Sequence, residues 1–132
     1  MKINKYNTRD ACNIPKPLSL KDPFTGETII DEHGKTVDIF IYGLDSDVAK
    51  NAFRDRERRY GRQATLTPEQ EDQAGSEFLA AVTQGWSQNL EDEGGPIEFT
   101  KEAAIKLYKE NGWIASQVWR FHRNLANYDP LR

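Results

Sequence analysis

One cysteine, two histidines and no apolar run approaching about 18 residues remove several classes of protein at the outset. A lone Cys12 permits no internal disulfide, which fits a reducing cytoplasm. Cys12, His33 and His122 are too few and too scattered for any zinc-ligand spacing. Cys12 also lies in an N-terminal stretch expected to be irregular, a poor place for a preorganised Cys–His nucleophile. No membrane span is expected, and the opening MKINKYNTRD lacks the apolar core of a secretory signal. Gly94-Gly95 stands in neither a G-x-x-x-x-G-K-[ST] nor a G-x-G-x-x-G setting, so no nucleotide loop is indicated. The calcium pattern D-x-[DN]-x-[DN]-G is missing around Asp22, Asp31 and Glu32, which read as turn residues. Glu91, Asp92 and Glu93 read as a solvated loop. No catalytic residue, cofactor or metal is expected, and the chain reads as a non-enzyme.

What is present is a 132-residue chain, room for one domain with a real core. Hydrophobic residues make up 37% and charged residues 30%, so that core should be small and the surface heavily charged. The net charge of −3 is unevenly spread. Residues 66–98 carry eight acidic groups and no basic one, between mildly basic flanks. Such a block reads first as solvated helix faces that pair with neighbours, and second as an acidic surface for a basic partner. The run RDRERRYGR over residues 54–62 is the strongest candidate for nucleic acid. Its interleaved Asp55 and Glu57 repel phosphate and only Tyr60 can stack, so no nucleic-acid partner is expected.

Along the chain, Pro15 and Pro17 predict a flexible, irregular segment over residues 1–17. A single domain follows over 18–128. Leu18–20, Thr28–Ile30 and 37–42 are β-prone, separated by the turns DPFTGE and DEHG, and predict an antiparallel β-meander over 18–42. So small a sheet must dock its apolar face on helices. Asp45 or Ser46 can cap a helix over about 47–61, with Val48, Ala49, Ala52, Phe53 and Tyr60 on one half. Residues 62–66 form a link. Thr67, Pro68 and Gln70 then form a capping box, and Ala74, Phe78, Ala81, Val82 and Gly85 give a stripe that carries the predicted helix to Trp86. Residues 87–99 read as a loop that can close as a small hairpin. Thr100 caps a helix over about 101–111, with Gly112 as its C′ residue. The fold expected over 46–128 is about four helices packed on the sheet, an α+β class.

The last predicted helix, residues 113–128, holds most of the functional information. At 100° per residue, Ile114, Val118, Phe121 and Leu125 form an ordinary core stripe. Ala115, Trp119, His122 and Ala126 form a second column about 100° away. A surface helix usually needs one apolar stripe, not two. Either this helix sits between other helices or it keeps a face for a partner, and on the second reading this column is the candidate partner-binding face. Small residues beside one indole let a partner helix approach while the ring anchors it. Trp86 and Trp113, at helix ends, read as core.

The order of these motifs resembles the tail assembly chaperones of long-tailed, siphovirus-like bacteriophages and prophages. PFTGE leads to a strand and then GLDSDVAKNAFRDR. LAAVTQGW, an acidic Gly loop, PIEFTKEAAIKLY and WIASQVWRFHRNLANY follow. The likeness covers roughly residues 18–128, and its specificity lies in the ordered set rather than in any one motif. It implies a non-enzymatic protein that binds the tape measure protein, keeps it soluble, and helps recruit tail tube subunits around it. It also implies a host-cytoplasmic protein absent from the mature virion, often made in addition as a longer, frameshifted form. A homo-oligomer is compatible with this role. The alternatives are a tail-completion or connector protein of the virion and a small nucleic-acid-binding regulator.

Overall fold

The β-branched and aromatic run at 37–42 becomes the middle of a sheet. In the computed structural model, which describes residues 1–61 and 65–131, strand β1 (Lys16–Ser19) pairs antiparallel with β2 (Asp38–Ile41), Leu18 opposite Ile39. Strand β3 (Thr83–Trp86) lies on the other side of β2, with Trp86 opposite Ile39 and an irregularity between Phe40 and Ile41. Ile39 and Ile41 are fully buried, as period-two alternation requires for one face on a core. Leu20, Val82, Ile114 and Val118 close over that face. The architecture is α+β, as the pattern predicted.

Thr28–Ile30 does not become a full strand. It makes only two isolated bridges, Lys21 to Thr28 and Ile30 to Thr36. The third strand comes instead from the end of the expected helix. Helix α1 (Thr8–Cys12), α2 (Asp47–Tyr60) and α3 (Pro68–Ala81) precede it, and α3 stops at Ala81 rather than Trp86. Val82 and Thr83 are β-branched and Gly85 favours the helix least, while β2 offers an open edge. The Thr83 hydroxyl donates to the Leu79 carbonyl at 2.7 Å and meets the Tyr108 hydroxyl at 2.6 Å, fixing the turn where the helix gives way.

The predicted caps are in place. Ser46 Oγ accepts from Ala49 N, and Thr67 with Gln70 forms a full capping box. Thr100 caps α4 (Lys101–Glu110). Gly112 follows the C-cap Asn111, the expected C′ position, but without a positive φ, and α5 (Gly112–Arg123) starts directly at it. A two-strand hairpin, β4 (Glu91–Asp92) and β5 (Gly95–Pro96), fills the acidic loop. Residues 62–64 of the expected link lie outside the described residues. Helix α3 packs on both α2 and α4, and α5 crosses behind β2.

The N-terminal stretch differs from expectation. Cys12 is fully buried, Arg9 and Asn13 bond Asp47, and a Cβ at Gly43 would collide with Cys12 Sγ. Helix α1 and β1 thus make residues 8–17 part of the domain, because Gly43 lets the chain approach closely enough to bury the thiol. Among the described residues no helix is long and apolar enough to cross a membrane.

Candidate functional site

The two columns read from the last helix are redistributed by the fold. Ile114 and Val118 are buried, and Phe121 is half-buried against the ring of Tyr128. Leu125 is exposed. The phase breaks because α5 ends at Arg123. Asn124 is extended, and Leu125–Tyr128 is a separate 3-10 turn. The Tyr128 hydroxyl donates to the Ile41 carbonyl at 2.9 Å, pulling this turn onto the sheet. Leu125 and Ala126 therefore no longer continue the stripes of the helix.

The second column does not survive as one surface. His122 is fully buried and belongs to the core, while Ala126 is exposed on the separate turn. Only Ala115 and Trp119 stay together on a binding-type surface, and they are joined there by residues from two other helices. Leu44, Ala49 and Phe53 from the α2 region, Gly75, Phe78 and Leu79 from α3, and Ala115 and Trp119 from α5 line an open groove of ≈ 870 Å³. Its rim is formed by Lys50, Arg54 and Arg56. Three large apolar side chains remain well exposed there: Leu44 at 48%, Phe53 at 53% and Trp119 at 41%. A single exposed apolar residue is unremarkable, but three sharing one concave site make this groove a candidate binding surface.

His122 supports this groove from below. Its Nδ1–H donates to the Tyr42 carbonyl at 2.7 Å, which leaves Nε2 as the unprotonated nitrogen. Nε2 is buried and has no hydrogen-bond partner among the described residues. The imidazole stacks with Trp119, centroids 5.9 Å apart, and meets Phe78 edge-on at 5.6 Å. Phe78 in turn meets Trp119 edge-on at 5.9 Å. Burial pushes the His122 pKa below its ordinary value, the Tyr42 hydrogen bond opposes this, and nearby Arg123 reinforces it. The ring is thus a neutral prop that sets the angle of the indole. Arg123 covers the Trp119 ring at 5.4 Å, a cation–π contact.

The charges around the groove are specific. Arg58 pairs with Asp55, and Arg59 with Glu77, which also accepts from the Tyr60 hydroxyl. Lys50 pairs with Asp45 at 3.3 Å. Arg54 reaches only the Asn51 side chain at 3.3 Å, and among the described residues neither Arg54 nor Arg56 forms an ion pair. The arginine-rich helix is therefore half neutralised by its own neighbours, and its remaining guanidinium groups border an apolar groove.

A second groove of ≈ 700 Å³ has the opposite rim. Asp31, Glu91, Asp92, Glu93 and Glu110, with Lys106, border a floor that includes Leu90, Ile97 and Trp113. The acidic block is thus divided between α3 and this groove. Trp86 and Trp113 are half-buried against the core, and the Trp86 Nε1–H donates to the Ile97 carbonyl at 2.7 Å.

Phe53, Gly75, Phe78 and Arg56 belong to the site although the periodicity of the last helix could not name them. A sequence signal existed for part of this set: Ala49 and Phe53 run beside Lys50 and Arg54 at four-residue spacing, an apolar column edged by a basic one. No protein-family model, curated protein or solved structure matches the chain.

Proposed function

We propose that this chain is a non-enzymatic tail assembly chaperone of a long-tailed bacteriophage or prophage. It binds the long helical tape measure protein in the host cytoplasm, keeps it soluble, and promotes assembly of tail tube subunits around it. The ordered motifs over residues 18–128 suggest the family. The observation that carries the reading is the apolar groove between α2, α3 and α5, whose exposed Phe53 and Trp119 suit capture of an amphipathic helix in the helix-in-groove mode.

A chaperone acts during assembly and leaves, whereas a connector or completion protein stays. Tagged chain expressed during tail production should co-purify with the tape measure protein from lysate and be missing from purified particles. Stoichiometric chain in finished particles would contradict the reading and favour a structural virion protein. Strongly salt-dependent DNA binding, lost on replacing Arg54, Arg58 and Arg59, would favour the regulator instead.

A further inference from the structure

An apolar groove alone selects hydrophobic stripes, not a particular helix. The rim of this one carries more information. Asp45, Asp55 and Glu77 approach from α2, its N-terminal turn and α3, and each is already engaged by Lys50, Arg58 or Arg59. On α5 the neighbouring charge is Arg123, held over the face of Trp119. Arg54 and Arg56 on α2 therefore line the groove without an acidic counterpart among the described residues, and Arg123 adds a third guanidinium beside Trp119. This holds although acidic residues outnumber basic ones in the whole chain, 21 to 18.

Resting on the proposed binding role, we infer that the groove is built for an amphipathic helix whose apolar stripe is bordered by carboxylates. The part of α2 that lines it, from Ala49 to Arg56, spans about 10 Å, or two helical turns. A partner would place apolar side chains at i, i+3 or i+4, and i+7 on Phe53, Phe78 and Trp119. Glu or Asp side chains on its border would reach Arg54 and Arg56, where a planar guanidinium donates paired hydrogen bonds to a carboxylate. Gly75 opens the floor: a Cβ there would meet nothing within 4 Å, so a partner helix can lie close to α3. The second groove has an acidic rim and would repel the same helix. Charge complementarity thus gives the surface both a preference and a polarity.

The test uses the full chain and two labelled helical peptides with the same apolar stripe, one bordered by glutamate and one by lysine. Fluorescence anisotropy should show the glutamate-bordered peptide binding at least about tenfold tighter at low salt. Arg54→Glu with Arg56→Glu should reverse the order. Gly75→Leu fills the floor at a position with room for it, and should weaken the glutamate-bordered peptide about tenfold in a chain that stays folded by circular dichroism. Equal affinity for both peptides, or a preference untouched by the double reversal, would overturn the inference. So would a concentration-dependent dimer abolished by Gly75→Leu, since a second copy would then be the occupant. If tape measure protein is still kept soluble while the charge preference is missing, only this inference fails. If solubilisation fails as well, the chaperone reading falls with it.

Discussion

At the scale of single residues, His122 links the core to the groove. A buried neutral imidazole under Trp119 has a depressed pKa, so the unfolded chain binds its proton more readily than the folded one. The stability this represents is complete above the ordinary imidazole value near 6.5 and is lost as pH falls below it. Urea unfolding should therefore show stability declining from pH 7 towards pH 5, with the slope flattened in His122→Gln. An unchanged slope in the variant would remove His122 from that account. Asp31, Asp45 and Asp47 have lowered pKa values, first through side-chain bonds from Asn89, Thr8 and Arg9, so their contribution disappears only at more acidic pH. Trp119 was legible in the sequence as an indole off the main stripe. His122 was not, because helical phase gives the direction of a side chain but not whether Tyr42, eighty residues earlier, offers it a carbonyl.

At the scale of elements, α3 joins two kinds of local information. Its start is written in adjacent residues: Thr67 and Gln70 satisfy each other's backbone groups, and Pro68 needs no partner. Its end is decided by a distant strand, since Val82, Thr83 and Gly85 could extend a weak helix but gain more by pairing with β2. That is why the capping box could be read directly and the stop at Ala81 could not. Thr28–Ile30 is likewise decided by pairing, since β1 and β3 hold the two edges of β2 and leave it only bridges to Lys21 and Thr36. Gly75 gives a measurable consequence. It is exposed within α3, and a Cβ there meets open space. Gly75→Ala should stabilise the fold by about 0.5–1 kcal/mol in denaturant titration, through restored helix propensity. Thr67→Ala should cost about 1 kcal/mol by loss of the cap. A destabilising Gly75→Ala would mean that the helix is packed against something at that point.

At the scale of the whole molecule, the arrangement of charge explains more than its total. The acidic middle of the chain does not form one acidic face. Glu77 neutralises part of the arginine-rich helix, and the hairpin carboxylates border a different groove. The result is a small domain with a basic-rimmed apolar groove made by the successive helices α2 and α3 and the sequence-distant α5. Its α+β class and most helix starts follow from local patterns. The groove does not, because Phe53, Phe78 and Trp119 meet only after α2, α3 and α5 have packed. The proposed role requires that this groove holds the tape measure protein. The most direct measurement is the soluble fraction of a tape measure protein when it is co-expressed with this chain. The wild-type chain should keep it in the supernatant. Trp119→Asp and Phe53→Asp, each verified as folded, should leave most of it in the pellet. Full solubility with both folded variants would contradict the claim, as would an insoluble tape measure protein with the wild-type chain.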